Sequence, residues 1–169
     1  MMISQRPGDV LEVRYEGSWC YLVVVTRIFM FGGNVVYAFH SDGSRIENFE
    51  PNPDLSGFNI CTDLLLPKKE GEVNRIGKVD DPIRYRVSDL IKDCHEHVPG
   101  QIAKRWFLSR FDNPGGGDKI VRSLSKRQAL AMDSGMYSFD LVVEKILSSY
   151  TPDKNPFIGK TRSLFRFGN

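Results

Sequence analysis

The chain has 169 residues, 41% apolar and 26% charged, which suits one globular domain that buries its own core without a disulfide or metal staple. The longest apolar run, Trp19 to Val25, is seven residues, far short of the roughly 18 that a membrane-spanning helix needs. The net charge of +2 conceals an asymmetry: residues 1–97 carry 11 Lys/Arg against 15 Asp/Glu and residues 98–169 carry 12 against 6, so the two parts stand at −4 and +6. A basic second part suits an acidic partner, protein or nucleic acid, and equally an uneven solvated surface.

The opening residues, MMISQRPGDV, contain no apolar stretch of the kind a secretory leader carries, which predicts a cytoplasmic chain. Arg6-Pro7-Gly8-Asp9 reads as a turn. Val10 to Tyr15 alternates apolar and polar residues as a half-buried strand does. Glu16-Gly17-Ser18 is a hairpin turn, and Trp19 to Arg27 returns as a β-branched and aromatic run. Ile28 to Phe31 continues it to a break at Gly32-Gly33-Asn34, and Val35 to Phe39 forms the next strand before His40-Ser41-Asp42-Gly43. Three short, sharply turning strands predict a strongly curled antiparallel sheet or a small SH3-like barrel.

Further on, Pro51 and Pro53 flank an acidic loop, and Phe58 to Cys61 is a short strand. Val73 to Val79 reads as an edge strand and Ile83 to Val87 as another strand. Ser88 to Glu96 is expected as a short helix capped by Ser88. Ala103 to Phe111 alternates with Trp106 and Leu108 on one face, and Asn113-Pro114-Gly115-Gly116-Gly117 is a turn. Ser125 with Gln128 makes a capping box that opens a helix through about Met132. A second helix begins after Ser138 and places Phe139, Val142, Val143 and Ile146 on one buried face. The whole predicts one α+β domain over 1–169: β-rich over 6–87, mixed with C-terminal helices over 88–150, and ending in an irregular basic tail over 151–169.

Several groupings could carry chemistry. Cys94-His95-Glu96-His97, with His40 as a fourth group, holds ligand types that suit zinc. On a helix, however, His95 and His97 would point about 200° apart, and solvated histidines at a helix end fit as well. Cys20 or Cys61 could serve as a thiol nucleophile, but Cys20 lies mid-strand among Trp19, Tyr21 and Leu22 and reads as a small buried hydrophobe. The three cysteines are odd in number and widely spaced, unlike a disulfide framework. Asn113 to Lys119 is Gly-rich without the spacing of a phosphate-binding loop. Lys104-Arg105-Trp106-Phe107, Arg110-Phe111 and Arg162 to Phe167 interleave cations and rings, as stacking platforms for nucleic acid do and as half-buried strands also do. Glu47 to Pro51 with Asp54 could dock a cationic partner or be an ordinary solvated loop.

Pro7-Gly8-Asp9-Val10-Leu11-Glu12-Val13, the strand from Trp19 to Arg27, the run Val35 to Gly43, the segment Ser123 to Ala129 and the helix Tyr137 to Ile146 together resemble the immunity protein 26 family of bacterial toxin–immunity systems. The likeness covers about half the chain, mainly its two ends. It implies a cytoplasmic antitoxin without an active site, which binds a cognate secreted or contact-delivered protein toxin and occludes its catalytic cleft. The expected partner surface consists of exposed aromatic and Arg residues beside turns: Phe29, Phe31, Arg105, Arg110 and Phe111. No catalytic residue, metal or cofactor is expected. The alternatives are a nucleic-acid-binding small-barrel protein of a phage or mobile element and, third, an enzyme using Cys94, His95 and His97.

Overall fold

The computed structural model describes residues 5–28, 33–64, 71–95, 101–113 and 119–159. The chain divides into two compact units, residues 1–86 with 135–150 and residues 87–134 with 151–169. Sheet predominates among the described residues, with few helices, in an α+β composition.

The first unit holds strands β1 (Asp9–Tyr15), β2 (Ser18–Ile28), β3 (Gly33–Phe39), β4 (Gly57–Thr62) and β5 (Gly71–Lys78). They form an antiparallel sheet in the order β4-β3-β2-β1-β5. The two-residue turn between β1 and β2 uses Glu16 (φ 46°) and Gly17 (φ 86°), the left-handed pair whose twist matches that of the flanking strands. Alternation sends Leu11, Val13, Cys20, Leu22, Val24, Val36, Ala38, Phe58 and Ile60 to one face. Helix α2 (Phe139–Leu147) lies on that face and buries Phe139, Val142, Val143 and Ile146 there, the four residues its periodicity selects.

The opposite face carries Tyr21, Tyr37 and Phe39, which pack against Phe49 and Tyr85; the Tyr21 and Phe49 rings stack at 4.2 Å. Irregular chain covers this face, so its backbone polar groups need partners. Three tyrosine hydroxyls supply them. Tyr37 donates to the Leu55 carbonyl at 2.6 Å and Tyr85 to that of Pro51 at 3.1 Å. Tyr21 both accepts from the Ile46 amide at 2.7 Å and donates to the Ile46 carbonyl at 3.1 Å. Both faces are therefore covered, which explains why β2 and β3 read as near-continuous apolar runs.

The second unit contains β6 (Leu90–His95), β7 (Arg105–Arg110), β8 (Lys119–Val121), helix α1 (Lys126–Ala129) and the short strand β9 (Met132–Asp133), in the sheet order β8-β7-β6-β9. β9 pairs parallel to β6, and the other pairs are antiparallel. Its core is Ala103, Trp106, Leu108, Val121, Leu124 and Ala129.

Four expectations change. Among the described residues neither sheet closes into an SH3-like barrel; the first is an open row with β4 and β5 at its ends. The helix expected over Ser88–Glu96 is strand β6, because pairing with β7 and β9 on its two sides outweighs local helix preference; the Ser88 hydroxyl accepts from the Leu90 amide in a local turn instead of capping a helix. Ile83–Val87 is no strand: Pro82–Tyr85 forms a 3-10 turn whose Tyr85 carbonyl accepts from the Asn59 side chain at 2.9 Å. The capping box at Ser125 is present, but α1 stops at Ala129 because Met132 and Asp133 pair with β6. Phe29, Phe31 and the Gly115-Gly116-Gly117 turn lie outside the described residues.

Candidate active site

One end of the five-stranded sheet gathers the β1–β2 turn, the end of β3 and the start of β4, since Tyr15 pairs with Ser18 and Phe39 with Gly57. His40 follows Phe39 and Ser56 precedes Gly57, so register brings them side by side, and the His40 amide donates to the Ser56 carbonyl at 3.0 Å. Gly57 permits this closeness. A Cβ there would stand 2.5 Å from the Ala38 carbonyl oxygen and 2.7 Å from the Tyr37 ring, so only glycine fits.

Ser56 Oγ lies 2.7 Å from His40 Nδ1, and His40 Nε2 lies 2.6 Å from the Tyr150 carbonyl oxygen. A carbonyl only accepts, so Nε2 carries the proton. Nδ1 faces the serine hydroxyl, and with its lone pair free it accepts the hydroxyl proton's hydrogen bond. The carbonyl is delivered by the end of α2: Ser149 takes φ 51°, the Tyr150 amide returns to the Lys145 carbonyl at 3.0 Å, and the Tyr150 ring meets Phe58 edge-on at 5.4 Å. Lys145 Nζ stands 3.4 Å from the Tyr150 ring centroid as a cation–π partner. The His40 ring packs against Phe58 at 5.5 Å. Ser56 is exposed. An accessible hydroxyl, a base within hydrogen-bond reach and a third group orienting that base make up the arrangement of a serine nucleophile.

A second polar grouping sits partway along β1 and β2, on the face of the sheet opposite α2. Glu12, 6% exposed, accepts from Arg45 at 3.4 and 3.5 Å and from the Tyr21 hydroxyl at 3.4 Å. Burial raises the Tyr21 hydroxyl pKa, its contact with the Ile46 backbone opposes the rise, and the Glu12 charge adds to it. In the second unit Lys92, 1% exposed, pairs with Asp133 at 2.9 Å, and Asp133 accepts from Asn155 at 2.8 Å. That pair is enclosed and serves to join β6 to β9.

The cysteines are poor nucleophiles. Burial pushes the Cys20 thiol to about 12 and, with the Asp63 charge, the Cys61 thiol to about 11. The Cys94 thiol is also raised, by burial first and then by Asp93. Cys94 and His95 lie on β6, and Glu96 and His97 fall outside the described residues. No group of three or more His, Cys, Asp or Glu side chains among the described residues is placed to hold a metal ion.

Of the expected partner surface, Arg105 and Arg110 are exposed at opposite ends of β7, and an odd separation puts them on opposite faces. Arg110 is paired with Asp112 at 3.0 Å, while Phe111 is buried at 8%. The structure does not bring these three together. Sequence reasoning missed Ser56 and Tyr150 and weighed His40 only as a metal ligand. The signal that joins them is strand register: once Phe39 is set opposite Gly57, the neighbours of both must meet.

No family profile and no solved structure matches the chain. The chain is similar to the UDP-3-O-acyl-N-acetylglucosamine deacetylase of Aquifex aeolicus (strain VF5), 29% identical over 138 residues. The matched region is 78% of this chain and 48% of the relative, so the chain spans about half the relative's length. This likeness to an enzyme overturns the expectation of a non-catalytic immunity protein that occludes a toxin.

Proposed function

We propose that this chain is a hydrolase that removes an acyl group from an acylated sugar. The observation that carries the reading is the contact of Ser56 Oγ with His40 Nδ1 at 2.7 Å, with His40 Nε2 held by the Tyr150 carbonyl at 2.6 Å. The deacetylase named among its relatives supports the reaction class and suggests an acylated amino sugar as the substrate.

In this mechanism His40 Nδ1 takes the Ser56 proton as Oγ bonds to the acyl carbon. The bond from that carbon to the sugar nitrogen or oxygen then breaks, and the leaving atom receives the proton from Nδ1. Water repeats the sequence: Nδ1 takes its proton, the new C–O bond forms, the serine ester breaks, and Oγ recovers the proton. The Tyr150 carbonyl is a positioning group. It fixes the tautomer and favours the imidazolium formed in each transfer.

The test uses p-nitrophenyl acetate and an N-acetylglucosamine derivative as substrates, with acetate release measured. Ser56→Ala and His40→Gln should each lower kcat/KM by roughly 10²–10⁴-fold with unchanged circular dichroism. A fluorophosphonate should label Ser56, and more slowly in His40→Gln. Hydrolysis by Ser56→Ala at the parental rate, or no hydrolysis by the parental chain, overturns the proposal.

A further inference from the structure

The loop between β3 and β4 opens at His40 and closes at Ser56, so the two ends of one loop are the base and the hydroxyl of the candidate site. Tyr37, buried on the face of the sheet opposite α2, holds the residues on either side of Ser56. Its hydroxyl donates to the Leu55 carbonyl at 2.6 Å, and its ring lies so near Gly57 that a Cβ there would stand 2.7 Å away. Burial raises the Tyr37 hydroxyl above its ordinary pKa and Tyr85 adds to the rise, so it remains a donor into alkaline pH.

The Leu55 carbonyl and the Ser56 amide belong to one peptide unit. That unit is trans, so its C=O and N–H point in opposite directions. Fixing the carbonyl toward Tyr37 turns the amide away from it, toward the face that carries the His40 and Ser56 side chains. Strand parity puts them there: His40 follows Val36 and Ala38 at every second residue, and Ser56 precedes Phe58 and Ile60 in the same way. The contact of the His40 ring with Phe58 agrees. In an antiparallel ladder a hydrogen-bonded pair exchanges two bonds. The His40 amide donates to the Ser56 carbonyl at 3.0 Å, but the Ser56 amide has no partner among the described residues. It is turned out of the ladder on an exposed residue. A hydrogen bond accepted by a carbonyl also polarises the amide at the far end of the same unit and makes it a stronger donor.

We propose that the Ser56 backbone amide is the donor that stabilises the oxyanion formed in acyl transfer at Ser56, and that Tyr37 is the positioning residue that aims it. As Oγ bonds to the acyl carbon, the carbonyl electron pair moves onto its oxygen, and a nucleophile's own amide is near enough to donate to that oxygen. When the tetrahedral carbon collapses, the pair returns and the bond to the leaving atom breaks, with the proton supplied from His40 Nδ1. This role rests on the hydrolase reading and adds to it the group that carries the developing charge. His40 and the Tyr150 carbonyl manage the proton; the Ser56 amide and Tyr37 manage the oxygen.

The experiment compares hydrolysis of p-nitrophenyl acetate by the full chain with that of its thiono analogue, in which a sulfur that accepts hydrogen bonds poorly replaces the carbonyl oxygen. The parental chain should prefer the oxygen ester. Tyr37→Phe keeps the ring but frees the peptide to turn. It should lower kcat on the oxygen ester by roughly tenfold, less than outright loss of an oxyanion donor costs, leave KM little changed and narrow the preference for oxygen. Tyr85→Phe removes a similar bond, to the Pro51 carbonyl at 3.1 Å on the same loop, and should leave kcat and the preference unchanged. In the isotopically labelled parental chain, phenylboronic acid, which forms a tetrahedral adduct with a serine oxygen, should move the Ser56 amide proton downfield. That shift is read even if Tyr37→Phe does not fold. An undiminished oxygen preference in Tyr37→Phe, equal losses in the two tyrosine variants, or an adduct that leaves the Ser56 amide unmoved overturns the proposal alone. A parental chain that neither hydrolyses the ester nor forms the adduct overturns the hydrolase reading and this proposal with it.

Discussion

The two units each place charged or titratable groups against a sheet, but water reaches them differently. In the first, Ser56 is exposed and His40 half-buried, with hydrogen bonds connecting strand ends to the end of α2. In the second, Lys92 and Asp133 are nearly sealed from solvent, and their pairing fastens β9 to β6. Accessibility separates their roles. A hydroxyl that meets solvent can meet a substrate. An enclosed ion pair has already spent its interaction on replacing lost hydration.

Breaking the enclosed pair should have the largest effect on stability. Lys92→Ala leaves Asp133 without its cation and should cost about 3–5 kcal/mol in urea unfolding. Lys92→Met with Asp133→Leu should recover part of that loss; a double variant as unstable as the single would argue that packing, and not charge, sets the cost. In the first unit, Phe58→Ala removes a fully buried ring set between His40 and Tyr150. It should cost about 3–5 kcal/mol and reduce hydrolysis beyond its effect on folding, because the imidazole loses the surface it rests on.

Alkaline pH sharpens the contrast next. Cys20 and Cys61 are raised to about 12 and about 11 in the folded state from the ordinary 9.0. The folded state therefore retains protons that the unfolded state releases. Their contribution is fully present below pH 9 and is lost as pH rises through the folded values, with a slope of about 1.4 kcal/mol per pH unit for each thiol at its steepest. Urea midpoints at pH 8 and pH 10.5 should show the fall, and Cys20→Ala should flatten it.

The capping box gives a smaller effect. Ser125→Ala removes the acceptor for the Gln128 amide and should cost about 1 kcal/mol. Arg110→Ala should produce no measurable change in the unfolding midpoint, since both it and Asp112 are solvent-exposed. A large effect there would mean that β7 depends on its end in a way burial does not reveal.

Local pattern alone determined much of this protein. The alternation in β1, the apolar runs of β2 and β3, the Glu16-Gly17 turn, the capping box at Ser125 and the apolar face of α2 all follow from contacts within a few residues or from local composition and side-chain direction. Local pattern failed where distant chain supplied the partners. Ser88–Glu96 became β6 because β7 and β9 flank it, and α1 ended early because Met132 had a strand to join. The candidate site belongs to that second class. His40, Ser56 and Tyr150 are separated by 16 and 110 residues along the chain, and no motif announces them. Only the pairing of β3 with β4 and the packing of α2 on the sheet bring the three together, because hydrogen-bond geometry depends on distance in space and leaves no periodic trace in sequence.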